Sequence, residues 1–130
     1  MTVKDEDPKV VEELFKAMQA GPDGEEALMA LFHEDAVFTE PFSGQPKSHN
    51  GKAEIRASFQ EMWHAPGPEL NLVLDRVDLE GDNVRAEWTC TSDAFPTPMR
   101  GYDLFSLKGT RISRLEVVVT EMPPMGPPEA

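Results

Sequence analysis

From Leu70 onward the chain alternates apolar and polar residues with a period of two, in segment after segment separated by turn residues. Leu70, Leu72 and Leu74 form the first run, and Val84, Ala86, Trp88 and Cys90 the second. Met99, Gly101, Asp103, Phe105 and Leu107 form the third, and Ile112, Leu115, Val117 and Val119 close the series. Alternate side chains of a strand share a face, so each run predicts a strand with one apolar side. Glu80-Gly81-Asp82-Asn83 and Lys108-Gly109-Thr110 read as tight turns, and Phe95-Pro96-Thr97-Pro98 as a longer break. Strands joined hairpin by hairpin predict an antiparallel sheet. Between Leu74 and Val77 the parity slips by one residue, which predicts a bulge that bends the sheet.

The first half carries helical spacing instead. Asp7 caps a first helix with Pro8 at its first position, and Val11, Leu14, Phe15 and Met18 form its apolar stripe. Gly21-Pro22-Asp23-Gly24 breaks it, with Asp23 as a cap for a second helix whose apolar face is Ala27, Leu28, Leu31 and Phe32. A third helix begins near Asn50-Gly51, buries Ile55, Phe59, Met62 and Trp63, and ends before Ala65-Pro66-Gly67-Pro68. The fold class is therefore α+β: a curved antiparallel sheet wrapping the N-terminal helices into a cone-shaped half-barrel. Such a hollow, lined mostly by hydrocarbon, suits a small molecule.

Two carboxylates fall where this patterning calls for apolar side chains. Glu40 shares parity with Ala36, Phe38 and Phe42, and Asp103 with Gly101 and Phe105. An ionised carboxylate in an apolar setting either finds partners or takes up a proton. Two such groups in a small domain make a candidate acid/base pair. The structural alternatives are an Asp103 satisfied by backbone or a neighbour, and a Glu40 solvated at the rim of the cone.

At 130 residues and 39% hydrophobic content, residues 1–130 read as a single domain, with 122–130 as a Pro-rich tail. The 24 acidic residues against 12 Lys and Arg give a net charge of -12, which disfavours nucleic acid and anionic membrane surfaces as partners. No apolar run is long enough to span a membrane, and Met1 to Asp7 is polar and acidic, unlike a secretory signal, so the expected location is cytoplasmic. Cys90 stands alone on an apolar strand face and reads as a buried thiol. His33 and His64 fall near helix C-termini and His49 in a loop beside the mouth of the cone. Their scatter matches no metal-ligand spacing, and no metal or cofactor is expected.

The segment Phe32-His33-Glu34-Asp35-Ala36-Val37-Phe38-Thr39-Glu40-Pro41-Phe42 resembles the helix-to-strand junction of the nuclear transport factor 2-like superfamily. Gly51 before the third helix, and Tyr102-Asp103-Leu104-Phe105 leading to Gly109-Thr110-Arg111-Ile112, are similar to it as well, so the likeness runs from about Val10 to Glu121. It implies a cystatin-like α+β roll, a fold that serves isomerases, cyclases, dehydratases, epoxide hydrolases and non-enzymes. Within it the motifs most resemble bacterial ketosteroid isomerases, with SnoaL-like polyketide cyclases next. Glu40 before Pro41-Phe42 matches the isomerases' acidic base. Asp103, allowing one residue fewer in the following turn, matches an aspartic acid that stays protonated and hydrogen-bonds the developing oxyanion.

The resemblance thus implies proton transfer on a small apolar carbonyl compound without a cofactor, with Glu40 and Asp103 catalytic. Phe15, Met18, Phe59 and Trp63 would contact substrate from the helices, and Phe38, Phe42, Trp88, Met99 and Phe105 from the strands. A non-catalytic ligand-binding or dimerisation module is the alternative. The isomerases place a second oxyanion donor, a tyrosine, on the first helix, where this chain has Lys16 beside Phe15. The epoxide hydrolases' Asp-Arg-Asp set follows the turn that Arg76-Val77-Asp78 precedes. Homodimerisation through the outer sheet face, at Tyr102, Leu104 and Val118, is expected.

Overall fold

A computed structural model describes residues 7–41, 45–64, 69–81 and 83–122. Helix α1 spans Asp7–Gln19, a single 3-10 turn covers Gly21–Gly24, and the short α2 spans Glu25–Ala30. Strand β1 is Phe32–Glu40, β2 is Lys47–Asn50, and α3 is Gly51–His64. Then come β3 (Asn71–Glu80), β4 (Asn83–Thr91), β5 (Met99–Lys108) and β6 (Arg111–Glu121). Among the described residues no helix is long and apolar enough to cross a membrane.

The strands form a six-stranded, unclosed sheet in the order β2-β1-β6-β5-β4-β3. Each hairpin predicted from the second half of the chain forms in register, with Gly81 and Gly109 both at φ +66° in the turns, a conformation that other residues adopt at a cost. The predicted bulge is present: the β3–β4 register shifts between Leu74 and Arg76. Further shifts between Arg100 and Gly101 and between Ser106 and Leu107 curve the sheet about the helices. The α+β class stands, with one refinement to the antiparallel expectation. β1 runs parallel to β6, because these strands are distant in sequence and no hairpin ties their directions together.

One face of the sheet packs on the helices. Val11, Leu14 and Phe15 of α1, Leu28 and Met29 of α2, and Ile55 and Phe59 of α3 meet Phe32, Ala36, Phe38, Val84, Ala86, Phe105, Ile112 and Leu115 from the strands. Arg56 bridges α3 to α2 through ion pairs with Glu25 and Glu26.

Four sequence expectations are corrected. Phe32 opens β1 and does not close α2, since Leu28, Leu31 and Phe32 fit helical spacing but Phe32 shares strand parity with buried Ala36 and Phe38. His33 is consequently in a strand, its ring accepting the Asp35 N–H at 3.3 Å where the β1–β6 register is irregular. Asp23 does not cap α2, whose N-cap is Gly24. Met62 is 48% exposed. At 100° per residue it turns away from the Phe59 direction on the side opposite Trp63, and the larger Trp63 fills the interface instead. The Ala65–Pro68 break, Asp82 and the tail from residue 123 lie outside the described residues.

Candidate active site

The alternation of β1 turns Glu40 toward the helix-covered face together with Ala36 and Phe38. Its side chain is 13% exposed, and Oε2 lies 3.0 Å from Nε2 of His49, itself 12% exposed. The pairing of β1 with β2 explains the contact. His49 stands directly opposite Phe38 and Lys47 opposite Glu40, so His49 is the diagonal neighbour of Glu40 on the same face. His49 was expected in a loop; it lies in β2, a strand too short for alternation to reveal.

Asp103 sits mid-strand in β5, paired with Ala86 of β4 and Val117 of β6, and is 5% exposed. The indole Nε1–H of Trp88 donates to its Oδ1 at 2.9 Å. Gly101 makes this contact possible. It pairs with Trp88, and a Cβ there would overlap the Val118 carbonyl oxygen and come within 2.7 Å of Trp88 Cζ2. With no side chain in the way, the indole lies across Gly101 and reaches the next inward residue of β5. Burial pushes the Asp103 carboxyl up from 3.8 to about 7, while the Trp88 hydrogen bond pulls it back toward the charged form. An indole N–H only donates, so Oδ1 acts as acceptor and the proton of the neutral acid resides on Oδ2. Oδ2 makes no hydrogen bond among the described residues.

The sheet register brings the two acids to the same level. Thr39 pairs with Glu116, so one step on Glu40 is level with Val117, which pairs with Asp103. Glu40 and Asp103 therefore share a face with a single strand between them, roughly 10 Å apart at their Cα atoms by two strand spacings. Half-buried Val117 stands between them. An acceptor with little water around it and a protonated donor at this separation could address two ends of one small molecule.

Several of the other expected site residues gather near one acid or the other. Phe38 stacks on Phe59 at 5.2 Å and on His49 at 5.6 Å between ring centroids, and Phe59 meets Trp63 at 5.9 Å. The Trp63 indole N–H donates to the Met18 carbonyl at 3.0 Å. Phe15 and Phe105 are buried in the core at 4% and 0% exposure, while Met18, Trp63 and Met99 are half-buried. Phe42 lies outside the described residues. Lys16 is exposed on α1, and Arg76 and Asp78 pair with each other at 2.6 Å on the surface, away from both acids. Cys90 is buried, and burial pushes its thiol up, as the alternation of β4 implied. Among the described residues no three His, Cys, Asp or Glu side chains come together as a metal site.

The opposite face of the sheet holds a polar groove of about 260 Å³, bordered by Asp75, Arg85, Glu87, Arg100 and Tyr102. The Arg85 guanidinium lies 3.7 Å above the Tyr102 ring there and 3.4 Å from Glu87, and neither acid of interest opens onto this groove. Sequence reasoning put His49 beside the mouth of the cone but gave it no role, and it missed Gly101 and Val117 as site residues. Of those two, Gly101 carried a signal, as a glycine in a strand that otherwise alternates.

A model of the SnoaL-like domain matches residues 11–115. Among solved structures, the chain is similar to a protein assigned as a polyketide cyclase from Sinorhizobium meliloti, at 22% identity and a TM-score of 0.71 over 85% of this chain and 94% of that one. It is similar to a protein assigned as a ketosteroid isomerase from Kribbella flavida, at 17% identity and a TM-score of 0.70 over 94% and 82%. A protein of cystatin-like fold from Methylobium petroleophilum superposes with a TM-score of 0.69 at 16% identity, over 95% and 77%. No curated protein matches. At these identities the structures establish the fold.

Proposed function

From the premise that this chain belongs to the SnoaL-like domain family of the nuclear transport factor 2-like superfamily, we propose that it is a cofactor-independent proton-transfer enzyme acting on a small apolar carbonyl compound. Glu40, as carboxylate, takes a proton from the carbon next to the carbonyl. Asp103, as neutral acid, donates the Oδ2 proton in a hydrogen bond to the carbonyl oxygen as it becomes an enolate. The observation that carries this reading is the pairing of unlike environments on one sheet face. Glu40 is held by a polar partner near the end of β1, while Asp103 is buried with one oxygen occupied by Trp88 and the other unpartnered among the described residues. The aromatic side chains beside Glu40, Phe38 foremost, would form the apolar wall. The family's isomerase-like and cyclase-like structural relatives support the reaction class.

The test is isomerisation of a β,γ-unsaturated steroid ketone, followed by the absorbance of the conjugated product. Turnover by the wild type and its loss in Glu40→Gln are expected. Turnover undiminished in Glu40→Gln would refute the assignment of the base.

One observation favours a second reading, a ligand-binding module without turnover. The helix position where related isomerases place a further oxyanion donor holds exposed Lys16, next to buried Phe15. Loss of one such donor lowers a rate by about 100-fold or more. Tight binding of a steroid phenol with no turnover would select this reading. Either activity suits a homodimer paired through the outer sheet face, where half-buried Tyr102, Leu104 and Val118 lie beside Arg85 and Glu87. A cytoplasmic setting fits the lone buried thiol.

A further inference from the structure

Glu40 is a long side chain for a base that must be placed to within a fraction of an ångström. A glutamate has one more rotatable bond than an aspartate, so it needs an external restraint to hold one geometry. The structure holds such a restraint. β2 contributes four residues, and only His49 is withdrawn from solvent. Its Nε2 is 3.0 Å from Glu40 Oε2, and its ring stacks on Phe38 with planes 27° apart. Phe38 in turn stacks on Phe59 with planes 11° apart, Phe59 contacts Trp63, and the Trp63 indole N–H is bonded to the α1 backbone at Met18. The Glu40 carboxylate is thus tethered through the His49 imidazole to a column of rings that crosses from β2 to α1.

We infer that His49 is the positioning residue for Glu40, so that the proton-accepting unit of this site is a His–Glu pair and not a lone carboxylate. This deepens the proton-transfer reading and rests on it for its kinetic consequence, though the pair itself does not. A carboxylate only accepts, so the imidazole presents Nε2–H to it, and the tautomer is fixed by the contact. Stacking on Phe38 fixes the ring plane, and with it the direction along which Oε2 is held. Val37 pairs with Asn50 at the opposite end of this strand pair, and the Asn50 backbone N–H donates to Glu54 of α3 at 2.7 Å, which fastens β2 to the helix that carries Phe59.

Two substitutions separate the tether from the packing. His49→Phe keeps a ring to stack on Phe38 and removes the donor; His49→Gln restores a donor without the ring. The first readout needs no substrate: a slowly exchanging imidazole N–H proton resonance from His49 in the free protein. It is expected in the wild type, retained in Asp103→Asn and lost in Glu40→Ala. A wild-type protein without it overturns the inference, whatever the protein does to a steroid. The second readout is kcat and KM for the steroid ketone. His49→Phe is expected to lower kcat by about 10- to 100-fold with KM within about twofold, and His49→Gln to recover part of the loss. Wild-type kcat in a folded His49→Phe protein overturns it too. A wild type that shows the resonance but no turnover counts against the proton-transfer reading and leaves the pair established.

Discussion

Replacing Asp103 by Asn keeps the shape of the side chain and an acceptor for the Trp88 indole, and removes the ionisation. In the unfolded chain Asp103 titrates near 3.8, and in the fold burial raises this to about 7. A carboxyl whose folded value lies above its unfolded value stabilises the fold fully only below the unfolded value, and that contribution fades as pH rises through the folded one. The gap is about three pH units, each worth about 1.4 kcal/mol, so the ionisable side chain forfeits about 4 kcal/mol between about pH 4 and pH 8. Asp103→Asn escapes this penalty. Its stability relative to the wild type is expected to start within about 1 kcal/mol at pH 4, climb by about 1.4 kcal/mol per unit, and level off above pH 7 to 8 with an advantage of about 4 kcal/mol. Urea unfolding of both proteins at closely spaced pH values measures this difference, and every other carboxylate cancels from it. A difference that stays flat from pH 4 to pH 8 would refute the reasoning, because it would mean that Asp103 ionises in the fold as readily as in water. A penalty of that size, about a third or more of a typical domain's stability, is what a functional acid is expected to carry and a structural one is not.

Trp88→Phe removes the hydrogen bond that favours the Asp103 carboxylate, so the levelling-off in the same titration moves to higher pH, with a stability loss of about 1–3 kcal/mol measured at acid pH. Gly101→Ala pushes a methyl group into the Val118 carbonyl and the Trp88 ring, and about 2 kcal/mol or more of destabilisation by urea unfolding is expected. Phe59→Ala empties the centre of the aromatic column and is expected to destabilise by about 3–5 kcal/mol, while broadening the His49 imidazole resonance. Leu104→Asp charges the outer sheet face without touching the core, and light scattering is expected to show a dimer converted to a monomer with thermal stability per chain little changed at high dilution.

The sequence by itself determined the hairpins, the bulge after Leu74 and the inward faces of β4 and β5, because a period of two over eight or more residues admits one strand orientation toward a core. It also singled out Glu40 and Asp103, since a carboxylate amid apolar neighbours of the same parity violates a local pattern. It misassigned Phe32, where helical spacing and strand parity coincide over a few residues, and His49, where a four-residue strand is too short to show any period. The tertiary structure alone decided the parallel pairing of β1 with β6, which brings Glu40 level with Val117 and hence with Asp103. It also set the diagonal from His49 to Glu40 and the Trp88 indole crossing Gly101 to reach a buried acid. Local pattern fixes which face a residue takes, but which residues meet across that face depends on strand order and register, and those arise only when distant segments pack together.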